Sequence, residues 1–298
     1  MSQTIHYTNC PVCSSADLKN VLLAKDYTVS GETFAIVECN ACSLRFTQDV
    51  PVAALISPYY KSENYISHTN TSKGLINRLY QAVRKRTLGQ KRKLVERLAA
   101  KKSGQLLDIG SGTGAFVNEM KQHDWQVTGL EPDADAATVA KQLYNIELKS
   151  INEFYHLPAD SFDAITLWHV MEHVHDLSAY VQQLKMLLKE DGKLFIAVPN
   201  YTSKDAAIYN EYWAAYDVPR HLYHFSPGSM KVLMEKNGMK LLTHQPMWFD
   251  SFYISMLSSK YKNGKTNLVA AFFNGLRSNI KAMSDVKGCS SVIYIIGK

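Results

Sequence analysis

Apolar positions along the chain fall into short runs of strand length that alternate with stretches of helical spacing. Leu106, Leu107 and Ile109 form one such run, closed by Gly110, Gly112 and Gly114, after which Phe116, Val117 and Met120 recur at helical intervals. The unit predicted is strand, glycine turn, helix. The alternation continues with a strand at W-Q-V-T-G-L, a helix over 133–143, a short third strand over 146–151 and a fourth over 162–167. An amphipathic helix follows over 177–191, stopped by Gly192 as a carboxyl cap, and then a fully apolar fifth strand over 193–198. Ser226-Pro227 opens a further helix, and 239–247 and 290–296 read as strands six and seven. Strands alternating with helices predict an α/β fold with a largely parallel sheet and helices on both faces.

Two stretches interrupt this order. Residues 200–225 are rich in aromatic and polar side chains and are longer than an ordinary connection, which marks a functional insertion. Residues 250–288 hold F-Y-I-S-M-L and L-V-A-A-F-F-N-G-L, apolar or amphipathic helices flanked by lysines and too short to span a bilayer. They suit a cover for an acceptor site, a dimer contact or a peripheral contact with an anionic membrane. The oligomeric state is not legible. Upstream, 73–88 and 91–102 show two amphipathic helices hinged near Gly89.

Length and charge refine the picture. The 298 residues accommodate a domain of about 200 residues plus a smaller module, with expected boundaries at 1–50, 51–103 and 104–298. No run of 18 apolar residues occurs, and the amino terminus lacks a basic then apolar leader pattern, so a cytoplasmic location is expected. Residues 73–102 carry a local balance of +10, which leaves −4 for the remainder of a chain of net +6. Basicity confined to one segment argues against a protein built throughout for nucleic acid.

Four of five cysteines form two C-x-x-C pairs, Cys10/Cys13 and Cys39/Cys42, separated by 25 residues that include the alternating F-A-I-V-E. Two such knuckles on short strands can surround one tetrahedral zinc, which would stabilise a module too small to fold on its own core. Four thiolates leave no open position, so the expected zinc is structural. The module's Lys19, Lys25 and Arg45 are outnumbered by Asp17, Asp26, Glu32, Glu38 and Asp49, so phosphate is not its partner. Cys289 reads as an inert thiol.

The glycine turn carries the chemistry. Gly110, Gly112 and Ala115 also satisfy the dinucleotide fingerprint, so glycine spacing alone leaves a nicotinamide or flavin enzyme open. Asp108 stands two residues before the first glycine, where a carboxylate can meet an ammonium group. Glu131, at the end of the next strand, lies about 20 residues further on, the distance of a ribose-binding acid. With F-D-A-I-T-L-W-H-V-M-E-H-V downstream, the chain from about Gln105 onward resembles the Rossmann-like S-adenosylmethionine (SAM) dependent methyltransferases. That resemblance implies a seven-stranded sheet with strand seven antiparallel. It also implies that Asp108, Gly110, Ser111, Gly112, Thr113 and Gly114 hold the methionine part of SAM, that Glu131 and Pro132 meet the ribose, and that Asn152 stands near the adenine. Trp168 and His169 would face donor and acceptor together.

Three roles compete for His169, Glu172 and His173: a general base at His169, a divalent cation site, or hydrogen bonds that anchor a turn. The ubiquinone-pathway O-methyltransferases are similar here, with a metal-binding E-x-x-E-H whose first position is histidine in this chain. His221 and His224 are substitute bases. Tyr60, Tyr65 and His68 in the linker, which can act as a lid, and Tyr216 and Arg220 in the insertion are candidates for the acceptor, Arg220 suiting a carboxylate or phosphate. The expected function is methyl transfer to a small molecule, with a hydroxyl favoured and a sugar, lipid or natural-product intermediate as the class. An RNA-modifying enzyme gripping phosphate through 73–102, a sugar C-methyltransferase and a SAM-binding protein without activity are the alternatives.

Overall fold

The computed structural model describes residues 3–61 and 75–298, the side chains of 75–84 and of Ser284 excepted. Tyr65 and His68 lie outside the described residues. The chain divides into two compact units. One takes the described residues of Met1–Ser67, His169–Val181 and Ala197–Tyr294, the other those of His68–Trp168, Gln182–Ile196 and Ile295–Lys298.

The second unit contains β6 (Gly104–Ile109), β7 (Trp125–Leu130) and β8 (Phe162–Trp168), with α1 (Leu75–Leu98), α2 (Ala115–Lys121) and α3 (Ala134–Tyr144). Strand β6 pairs in parallel with β7 on one side and β8 on the other, placing Asp108 opposite Gly129 and Thr166. Leu106, Leu107, Ile109, Ile165 and Leu167 are fully buried, as a strand covered on both faces requires. Asp163 fastens the base of this sheet: it accepts from Lys101, from Lys189 at 2.9 Å and from the Gln105 amide at 2.8 Å. Burial opposes its charge, but Lys101, the amide and Lys189 outweigh that and bring its pKa to about 2. A depressed carboxylate stabilises the fold above its unfolded pKa of about 3.9 and loses that contribution as pH falls towards 2. Both lysines are a third exposed, so screening trims the gain. Asp163→Asn is therefore expected to cost roughly 1–2 kcal/mol at pH 7 and almost nothing near pH 2, read from denaturation midpoints at the two pH values.

Strand β9 (Leu188–Pro199), which follows α4 (Leu177–Leu187), joins these strands with β11 (Lys240–Pro246) and β12 (Ser291–Gly297) in a six-stranded sheet of order β11-β12-β9-β8-β6-β7. Six strands replace the expected seven. The segment expected as strand three touches β7 through the Leu130–Lys149 bridge, with Lys149 bonding Gly129 and Glu131. Ser150 then turns out to cap a short 3-10 helix, Ile151–His156, and the ladder stops. Gly192 is also corrected: α4 ends at Leu187, and Gly192 sits within β9, where a Cβ would meet the Phe162 carbonyl at 2.9 Å. The hinge expected near Gly89 is absent, since α1 runs unbroken through it, with Arg92 bonded to Glu96 one turn on and to Glu119 of α2.

In the first unit, β1 (Thr4–Ile5) pairs with β5 (Val50–Pro51), and β2 (Leu18–Lys25), β3 (Thr33–Cys39) and β4 (Arg45–Thr47) form an antiparallel ribbon. The ribbon does not end with its own chain segment. Its fourth strand is β10 (Tyr223–His224), contributed by the long insertion, which sets Tyr223 against Phe46 and His224 against Arg45. The unit also contains α5 (Lys204–Tyr209), α6 (Pro227–Lys236), α7 (Asp250–Asn263) and α8 (Leu268–Ser284).

Candidate functional site

In the second unit the chain leaves β6 through Gly110, Gly112 and Gly114, at φ of 70°, 53° and 75°, a left-handed path that favours glycine. A Cβ on Gly114 would strike that of Ala140 at 2.9 Å, so this glycine allows α2 to approach α3. A Cβ on Gly112 would meet nothing within 4 Å: it projects into open space, the position a ligand pressed against the turn would need. The Gly112 amide donates to Glu131 at 2.6 Å and the Asp133 amide to the other oxygen of the same carboxylate at 3.0 Å. Two amides use only part of a carboxylate's accepting capacity, and the rest suits hydroxyl donors. Burial raises the Glu131 pKa, against those two amides.

Asp108 is buried and accepts from the Thr166 hydroxyl at 2.7 Å, while Ser111 bonds the Asp108 carbonyl. Burial lifts its pKa to about 6, opposed by the hydroxyls and by the charge of Lys91. Lys91 also sits 4.3 Å from the ring centre of Trp168, whose other neighbour is the edge-on ring of Phe116. The Trp168 indole N–H is buried without a hydrogen-bond partner among the described residues. Strands β6 and β8 end side by side here, at the switch point of the parallel order, where α/β sheets bind ligands. Thr113 is half-buried on the turn, whereas Pro132 and Asn152 are exposed. Lys91 escaped the sequence reading because it belongs to a basic helix whose lysines look uniformly solvated.

In the first unit His169, directly after Trp168 in the chain, adopts φ of 60° and donates its amide to Ala197. Its ring lies between two carboxylates, Nδ1 at 3.3 Å from Glu172 and Nε2 at 2.9 Å from Asp250. Burial alone would depress its pKa, but Asp250 and Glu172 prevail and carry it to about 10. Both ring nitrogens of His169, the candidate base, are thus engaged by carboxylates. Asp250 was not foreseen, for it stands 81 residues away.

His173 and His221 meet edge to face at 4.7 Å. Nδ1 of His173 bonds the Arg220 carbonyl at 3.0 Å and lies 3.1 Å from the Tyr60 hydroxyl; Nδ1 of His221 bonds the Ala215 carbonyl at 2.8 Å. A carbonyl only accepts, so each Nδ1 carries the hydrogen. Burial and then the neighbouring His221 push the His173 pKa down to about 4, leaving a neutral imidazole. Glu172 is buried with one oxygen unpartnered among the described residues. Ligand atoms of Glu172, His173 and His221 lie within 4.8 Å of one another, a set able to hold a divalent cation in which His221 takes the place expected of His169.

Three other candidates lie largely inside the fold. His224 is buried in β10, bonded to Thr47 at 3.1 Å and stacked edge-on against Tyr216, and burial holds its pKa well below the usual range. Tyr216 is buried and accepts from Arg45 at 3.1 Å. Arg220 is fully buried between Asp26 and Asp217. All three make bonds inside the fold, and Tyr216 and Arg220 also line a small pocket with Lys25, Tyr27 and Asp217.

The four cysteines of the C-x-x-C pairs converge. Cys10 and Cys42 sulfurs are 3.5 Å apart, those of Cys13 and Cys39 are 3.4 Å apart, and all four lie within 4.8 Å. A zinc tetrahedron with bonds of about 2.3 Å has edges of about 3.8 Å, which these spacings fit. The Val12 and Cys13 amides point at the Cys10 sulfur at 3.4 and 3.5 Å, and with the Cys42 thiol they hold Cys10 below the usual thiol range.

The chain matches the model of a methyltransferase domain over residues 80–244. It is 38% identical over 113 residues to the ubiquinone biosynthesis O-methyltransferase of Glaesserella parasuis serovar 5 (strain SH0165), covering 34% of this chain and 47% of that one. To the mitochondrial ubiquinone biosynthesis O-methyltransferase of Homo sapiens it is 27% identical over 165 residues, covering 50% and 44%. The chain thus spans about half the length of the curated relatives it matches. A SAM dependent methyltransferase from Archaeoglobus fulgidus is similar at a TM-score of 0.46 and 20% identity, over 71% of this chain and 94% of that one. With more than half of its length accounted for by that domain model, the chain belongs to the methyltransferase domain family.

Proposed function

We propose that the protein is a SAM-dependent methyltransferase that methylates a hydroxyl group on a small molecule. The observation that carries the reading is the left-handed glycine turn whose Gly112 opens onto free space while its amide is tied to Glu131. Bound SAM supplies an electrophilic methyl group on a sulfonium. The chain's task is then to hold donor and acceptor in line and to exclude water. Asp108 and the open face of the glycine turn would hold the amino-acid end, Glu131 the ribose hydroxyls, and Trp168 would offer an aromatic face and an N–H donor. Relatives named as O-methyltransferases favour oxygen over nitrogen or carbon as the acceptor. A sugar, a lipid or a natural-product intermediate remains the proposed class.

With both nitrogens of His169 tied to Asp250 and Glu172, proton removal from such a hydroxyl is proposed to fall to other groups. A divalent cation at Glu172, His173 and His221 would acidify a hydroxyl there, and the unpartnered Glu172 oxygen is the observation favouring it. The slightly acidic amino-terminal ribbon and the aromatic insertion weigh against an RNA acceptor. The four-cysteine cluster is proposed as a structural zinc site.

Calorimetry with S-adenosylhomocysteine tests the core of the reading. Micromolar binding is expected, weakened roughly ten- to a hundredfold by Glu131→Ala, which removes charge-assisted hydrogen bonds. Transfer of labelled methyl from SAM to hydroxylated small molecules should rise when a divalent cation that accepts imidazole ligands, such as Zn²⁺ or Fe²⁺, is added. Tight binding of a nicotinamide dinucleotide, with S-adenosylhomocysteine ignored, would overturn the assignment.

A further inference from the structure

Helix α8 is built inside out. Its inward side carries Ala271, Gly275, Ser278 and Ala282, all buried, and its fit to the unit is settled by small residues and hydrogen bonds. Gly275 lies so close to α7 that a Cβ would meet the Phe252 backbone at 3.0 Å. Ser251 of α7 donates to the Gly275 carbonyl, Ser278 to Asp205 at 2.7 Å, and Asn274 to the Tyr209 hydroxyl at 3.0 Å. The large apolar side chains face the other way. Leu268, Val269, Phe272, Phe273, Ile280 and Met283 are 55–77% exposed, and at 3.6 residues per turn they share an arc of about 140°. An amphipathic helix that anchored itself by its apolar face would show the reverse, so this face is reserved for something else.

Charge identifies the occupant. From Ser251 to Ser284 the sequence holds Lys260, Lys262, Lys265, Arg277 and Lys281 and no acidic residue. These cations are exposed beside the apolar arc, on α8 itself and around the turn that joins it to α7. A second copy meeting this face would bring five cations against five. An anionic lipid surface accepts both parts at once, the apolar arc entering the acyl boundary and the cations meeting headgroups. We infer that the α7–α8 hairpin is a peripheral membrane-docking element that lays α8 flat on an anionic bilayer. No helix of the described chain is long and apolar enough to cross a membrane, so the contact lies in the interface. The inference is independent of the methyl-transfer chemistry.

Flotation of the full-length protein with vesicles of phosphatidylcholine alone, or of phosphatidylcholine with phosphatidylglycerol, tests it. The protein should float with the anionic vesicles, and roughly tenfold less with the neutral ones or at high salt. Phe272→Ser with Phe273→Ser should reduce binding to anionic vesicles at least about tenfold, with a melting temperature lowered only slightly, since both rings are more than half exposed and only Phe272 stacks on Phe252 of α7. Lys260→Gln with Lys262→Gln and Lys265→Gln should abolish the preference for anionic lipid. Absence of flotation, flotation that survives the phenylalanine variant, or a dimer in sedimentation that this variant dissolves would each overturn the inference.

Discussion

Arg220→Met is expected to destabilise the protein by about 3–5 kcal/mol, the cost of breaking a buried ion pair by removing one partner. The guanidinium is fully buried, with Nη2 at 2.9 Å from Asp26 and 2.7 Å from Asp217, Nε at 3.1 Å from Asp217, and Nη1 donating to the Tyr59 carbonyl at 2.8 Å. Asp26 accepts in addition the amides of Thr28, Val29 and Ser30. Burial works against the Asp26 charge, but Arg220 and these amides bring its pKa to about 2. Because that value lies below the unfolded one, the contribution is whole above about pH 4 and vanishes as pH falls towards 2. The variant should therefore melt roughly 10 °C lower at neutral pH, and the gap should narrow in acid. Arg220→Lys should recover little, since an ammonium cannot serve both carboxylates and a carbonyl as the planar fork does. Asp26→Asn in the Arg220→Met background should restore part of the loss, because it removes the stranded charge. If Arg220 instead gripped an acceptor, the variant would keep its melting point and raise KM.

The fate of Arg220 shows where sequence reading reaches its limit. The glycine turn, Asp108 and Glu131 were legible because their geometry is local: a strand must end, the backbone must enter left-handed space, and an acid must stand at the tip of the next strand. The same holds for the paired cysteines, whose spacing carries its own ligand geometry. Arg220, Tyr216 and His224 lie in an insertion whose composition suits an acceptor pocket and a buried anchor equally well. What decides between the two is the pairing of β10 with β4 and the approach of Asp26 from 194 residues away, neither of which leaves a periodic trace. Asp250 was hidden for the same reason, and its contact occupies the Nε2 that a base role of His169 would use. The missing third strand is a different failure. Its apolar run is real, but Ser150 offers the backbone a cap two residues too early for a ladder to form.

Cys39→Ser is expected to have the largest effect of all. Cys39 is fully buried at the end of β3, its amide bonded to the Leu44 carbonyl and its sulfur 3.4 Å from that of Cys13. A tetrathiolate zinc contributes apparent binding free energy of about 10–16 kcal/mol, and in so small a module that energy is largely folding energy. The protein as purified should contain one zinc per chain by elemental analysis, and the variant much less. The loss should not stop at the ribbon. Strand β4 is the edge on which β10 pairs, Thr47 bonds the His221 carbonyl and the His224 ring, and the β2–β3 connection supplies the Asp26 that Arg220 requires. Freeing β4 therefore releases the segment that carries His221, one of the three groups clustered with Glu172 and His173. Hydrogen exchange should show the Tyr223–His224 amides losing protection together with those of β3 and β4 in the variant, or in wild type treated with a strong chelator. The β6–β7 amides, held by a separate parallel ladder, should keep theirs. Full protection at β10 in a zinc-free ribbon would mean that the insertion folds without it, and the metal would then be confined to holding its own two knuckles.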